Sequence, residues 1–160
     1  MVNIKEVIIG SGIGKIRFGM TKKEVQNLAG KPDETELLPG LEEDPGDDLE
    51  VWHYDEHEFS LVFDADYDWR LVSISVSDPY FHFFGQSVVG MRREDALKFL
   101  ADQNIETSSF EDVSDEDSSD LQKLESDESG LIVWFEDGFV TELQIFPDVE
   151  DDGETYKWPE

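Results

Sequence analysis

The chain contains no cysteine. That removes a disulfide framework, a thiolate zinc site and a lipid-bearing N-terminal cysteine from consideration. Basic residues are scarce, with 12 Lys and Arg against 40 Asp and Glu, for a formal net charge of −28. Phosphate backbones and anionic headgroups are held by Lys and Arg, so neither nucleic acid nor a membrane surface is an expected partner. No segment approaches the roughly 20 apolar residues that a membrane span requires. The opening "MVNIKEVIIGSG" shows no long apolar run and no small-residue cleavage site, so a cytoplasmic location is expected. Aromatics, by contrast, are plentiful: 11 Phe, 4 Trp and 4 Tyr within a chain that is 38% hydrophobic can build a core despite the charge.

One phrase occurs twice. "FGMTKKEVQNLAG" ends at residue 30, and "VGMRREDALKFLAD" begins at residue 89. In the first, Thr21 and Glu24 have the spacing of a capping box, and Met20 and Val25 that of a hydrophobic staple. Gly30 and Pro32 then predict the helix stop. In the second, Arg92 stands where the capping threonine was. The segments that follow also correspond. "EVWHYD", "EFSLVFD" and "RLVSISVSD" read as strands, as do "LQKLESD", "GLIVWFED" and "FVTELQIFP". Gly19 and Gly90 lie 71 positions apart, Phe63 and Phe135 lie 72 apart, and Ile74 and Ile145 lie 71 apart. The expected class is therefore α+β: a tandem repeat of a helix plus about three antiparallel strands, with the helices packed on an antiparallel sheet. Residues 1–79 would form the first repeat and residues 80–160 the second, in one compact unit. A continuous α+β domain with accidental similarity is the alternative. The stretches 33–50 and 111–120, rich in acids and broken by Pro, Gly or Ser, read as loops. "YFHFF" at 80–84 reads as core or seam between the halves.

The run "FGMTKKEVQNLAGKP", followed by "WHYD", "FSLVFD" and "LVSISV", resembles the BamE-like (SmpA/OmlA) repeat. Two such units in tandem are similar to the architecture of the β-lactamase inhibitory protein. The resemblance spans roughly residues 12–147 and rests on small and apolar positions. It implies an architecture and a habit of binding another protein through an open sheet face, and it carries over no functional residue. The absent lipid cysteine and secretion signal are departures from those relatives.

Motifs with catalytic chemistry fail on spacing or context. "HYDEH" at 53–57 matches a zinc-protease pattern by letters, yet lacks the helix that would put both His on one face. "GSGIGK" at 10–15 misses the phosphate-loop spacing, since Ile16 stands where Ser or Thr is needed. "DVSDEDSSD" lacks the central Gly and terminal Glu of a calcium loop. Acids are too evenly spread for one pair to stand out as an acid–base couple. No catalytic residue, metal ligand or cofactor is therefore assigned, and an enzyme is not expected. The charge instead suggests an immunity-type inhibitor that occludes the active face of a basic, nuclease-like toxin. A non-enzymatic assembly module or a DNA mimic is the alternative. The acids expected to meet a basic partner are Asp47, Asp48, Asp115, Glu116, Asp117 and Asp120. Trp52 and Trp134 are the candidate aromatic anchors, Trp134 serving equally well in the core.

Overall fold

The structure is a computed structural model that describes residues 5–38, 48–105, 109–112, 121–126, 130–149 and 156–158. Asp47, Asp115, Glu116, Asp117 and Asp120 lie outside the described residues. The chain begins with three short strands, β1 (Glu6–Ile8), β2 (Gly12–Ile13) and β3 (Ile16–Arg17). Helix α1 (Lys22–Ala29) follows, then strands β4 (Glu34–Leu38), β5 (Leu49–Tyr54), β6 (Phe59–Asp64) and β7 (Arg70–Val76). The short β8 (His82–Phe83) leads to α2 (Arg93–Asp102). Then come β9 (Ser109–Asp112), β10 (Leu121–Ser126), β11 (Leu131–Glu136) and β12 (Phe139–Ile145). The ribbon strands β13 (Asp148–Val149) and β14 (Tyr156–Lys157) close the chain.

The local signals explain most of these elements. The Thr21 hydroxyl accepts from the Glu24 N–H at 3.2 Å, and the Glu24 carboxylate accepts from the Thr21 N–H at 3.2 Å, so the capping box is complete. Gly30 stops α1 at φ +81°, which a side chain would resist. Asp137 and Gly138 turn β11 into β12 with both residues at positive φ. Gly12 admits the tight β2–β3 hairpin, because a Cβ there would collide with the Ile16 carbonyl oxygen. The two Gly-Met phrases are anchored alike: Gly19 N–H donates to the Leu71 carbonyl and Leu71 N–H to Met20, as Gly90 donates to Val140 and Val140 to Met91.

The main sheet has the order β4-β5-β6-β7-β12-β11-β10-β9, and every neighbouring pair is antiparallel. A small sheet runs β3-β2-β1-β8, with β1 and β8 parallel. One face of the main sheet is core. Trp52, Tyr54, Phe59, Leu61, Phe63, Ile74, Val133, Phe135, Leu143 and Ile145 project there and are buried. They join Val25 and Ala29 of α1, Ala96, Phe99 and Leu100 of α2, and Ile13, Phe81 and Phe83 of the small sheet and its approach in one apolar cluster. The Tyr54 hydroxyl donates to the Gly30 carbonyl at 2.8 Å and ties β5 to the end of α1.

The expected class is overturned. The fold is mostly β, with fourteen strands and only two α-helices among the described residues, not an α+β set of helix-plus-three-strand repeats. The helices are short, 8 and 10 residues. Stretches in which no strand was expected form strands: residues 6–17 build most of the small sheet, and 34–38 and 109–112 add an outer strand at each edge of the large one. Every residue of β4 is exposed, with Leu37 at 60%, so no apolar alternation marked it as a strand. The "YFHFF" segment divides: Phe81 and Phe83 are buried, and Phe84 is 51% exposed.

Candidate functional site

Among the described residues, the second face of the main sheet is the one that neither helix covers. Along β6, β11 and β12 buried side chains alternate with half-exposed ones, as in an antiparallel sheet with one face toward solvent. Direct pairing places Glu34, His53, Ser60, Ser75, Gln144, Ile132 and Glu125 in one row across β4, β5, β6, β7, β12, β11 and β10. With strands about 4.8 Å apart, the eight-stranded sheet is roughly 34 Å wide.

The middle of this face is floored by small side chains. Strand β7 alternates Leu71, Ile74 and Val76 toward the core with Ser73 and Ser75 toward the open side, and Ser77 follows on that side. Ser73 is buried and accepts from the Gln144 amide at 3.3 Å. Larger groups flank the serines. On one side lie Trp134 and Glu142, direct partners across β11 and β12. On the other lies a hydrogen-bonded line: Ser60 Oγ to His53 Nδ1 at 2.8 Å, and His53 Nε2 to Glu36 Oε2 at 3.4 Å. A cleft of about 350 Å³ opens beside this line, between His53, Asp55, Glu58, Ser60 and Ser77.

The Ser60–His53–Glu36 line has the residue types of a hydrolase triad and lacks its setting. Ser60 lies in mid-strand between β5 and β7, where the backbone N–H groups are committed to ladders, so no pair of donors faces a developing oxyanion. The line is a cross-strand polar ladder. The "HYDEH" motif resolves similarly. His53 is on a strand, whereas His57 sits in the following turn at φ +61° and stacks on Tyr80 at 3.6 Å.

Two groups are displaced in their titration, the Glu142 carboxyl on this face and the Tyr54 phenol on the core face. Burial, opposed by the Ser77 hydroxyl at 3.4 Å, pushes Glu142 above the usual carboxylate range. Burial, with the Asp33 charge adding, pushes the Tyr54 phenol up to about 12.

The residues singled out from sequence fare differently. Trp52 is 5% exposed, lies 4.7 Å from the Phe63 ring on the core face, and donates from Nε1 to Glu50 at 2.6 Å. It is a core residue and offers no surface anchor. Asp48 is half-buried, and its carbonyl accepts from the Ala65 N–H where β5 begins. Trp134 is half-buried on the open face, with the Lys123 ammonium 5.7 Å from its ring centroid. Sequence reasoning missed Glu142. The signal available was its polar position in the alternation of "VTELQI", which every half-exposed strand shares. No helix among the described residues is long and apolar enough to cross a membrane. Comparisons with family models, with curated proteins and with solved structures return no match.

Proposed function

We propose that the chain is an acidic, non-enzymatic protein-binding inhibitor that acts in the cytoplasm. It captures a basic partner on the open sheet face, and a nuclease-like toxin whose active face it occludes is the partner that fits best. The observation that carries this reading is the combination of a −28 chain with a sheet face whose described side chains are mostly half-exposed, with serines at its middle and Trp134, Glu142 and Glu36 beside them. A surface of that charge accelerates encounter with a basic protein by about 10- to 1,000-fold at low salt. The small floor leaves room for a protruding segment, and a half-buried aromatic supplies desolvated contact. The Ser60–His53–Glu36 ladder, without an oxyanion pocket, adds nothing to an enzymatic reading.

The test is affinity capture from native lysate at low and moderate salt, with mass spectrometry of what is retained. A single basic polypeptide that survives moderate salt is expected. Retention of many basic proteins, all lost together as salt rises, would reduce the charge to nonspecific attraction and contradict the proposal.

A further inference from the structure

Glu142 is poorly provided for by its own chain. Its carboxylate is half-buried on the open face, meets the Ser77 hydroxyl at 3.4 Å, and has no cation beside it among the described residues. Burial disfavours its charge, so the fold carries it at a cost. Residues kept against local stability mark sites that serve something else.

Its direct cross-strand partner is Trp134. The two side chains of such a pair stand about 5 Å apart on the same face. The indole N–H of Trp134 is buried and finds no acceptor among the described residues, so packing rather than hydrogen bonding holds the ring. The ring's face already draws a cation, the Lys123 ammonium, which Glu125 holds at 2.7 Å. On the far side of Glu142 the side chains are short, Ser77 and Ser75, so the carboxylate is not walled in.

A carboxylate beside an indole, next to a floor of serines, suits a guanidinium better than an ammonium. The planar guanidinium pairs with both carboxylate oxygens, stacks on the indole and is more weakly hydrated, so it loses less on leaving water. We infer that Trp134 and Glu142 form an arginine-accepting subsite, the point at which an arginine on the surface of a basic protein partner anchors to the open sheet face. This rests on the reading of the chain as a protein-binding module and assigns that reading its anchor.

The test uses a hexa-arginine and a hexa-lysine peptide, with affinity read by calorimetry and position read from the four tryptophan indole N–H resonances. Trp134→Phe identifies the relevant resonance, and Glu142→Gln tests the carboxylate. Glu94→Gln makes the same charge change at an exposed position of α2, which packs on the other face of the sheet. Hexa-arginine is expected to bind more tightly than hexa-lysine and to shift the Trp134 resonance. Glu142→Gln should weaken hexa-arginine about tenfold, as loss of a charge-assisted hydrogen bond does, and Glu94→Gln by less than about twofold. Equal losses in the two glutamine variants, or an unmoved Trp134 resonance on binding, would overturn the subsite while leaving an acidic binding module intact. Absence of binding by the unaltered chain to either peptide would overturn the module as well. Circular dichroism confirms folding, and Glu142→Gln decides the matter even if Trp134→Phe does not fold.

Discussion

Glu142 shows how a single residue exposes the balance between stability and use. Its folded-state pKa lies above the value it has in an unfolded chain, so the fold favours the protonated form. That contribution is fully present below the unfolded carboxylate range and is lost as pH rises through the folded value. At neutral pH the charged side chain therefore works against the fold, and Glu142→Gln relieves it. The variant is expected to unfold at higher urea than the parent at pH 7, with the difference disappearing below about pH 4. Urea titrations at the two pH values check this. A variant less stable at pH 7 would mean that an unrecognised cation already satisfies Glu142. Trp52 teaches the opposite lesson. Tryptophan is common at interfaces, yet this indole fills the core face against Phe63 and hydrogen-bonds Glu50. Which side of a strand a tryptophan takes depends on register with both neighbours, and its own flanking residues do not reveal it.

At the scale of elements, the caps make a direct comparison. Helix α1 has a complete capping box, whereas α2 begins at Arg92 with no side-chain cap. Thr21→Ala should destabilise the protein by about 1 kcal/mol, and Arg92→Ser should stabilise it by a smaller amount. Thermal or urea unfolding of the two variants measures both. The helices and the six inner strands of the main sheet were legible because caps, turn residues and alternation all act locally. The Thr21–Glu24 box and the Asp137-Gly138 turn are cases in point. The mostly-β class was not legible. It depends on β4 and β9 at the sheet edges and on the short strands before α1, which exist through pairing rather than through their own patterns. β4, with all five residues exposed, is held by its ladder with β5, and its outward residues Glu34 and Glu36 help blunt an edge that would otherwise invite pairing. The open face was half legible: the serines of "VSISVS" announced a polar side of β7, but the Trp134–Glu142 partnership needs the β11–β12 register, which shifts at a bulge beside Trp134.

At the scale of the whole molecule, two properties meet. The net charge of −28 sets a long-range field that salt screens within about 10 Å at 0.1 M. The eight-stranded sheet sets a short-range surface, buried on one side by α1, α2 and the small sheet and, among the described residues, mostly half-exposed on the other. The field alone would attract any basic protein; the face gives one of them a place to dock. Docking therefore depends on position, and Ser75 stands near the middle of that face, level with Ser60 on one side and Gln144 on the other. Ser75→Trp fills the floor without changing the charge. The most direct measurement is the amount of basic polypeptide retained by this variant and by the parent at moderate salt, with circular dichroism confirming that the variant is folded. Loss of that polypeptide by the variant is the predicted result. Equal retention by the two proteins would place the docking surface elsewhere and contradict the account.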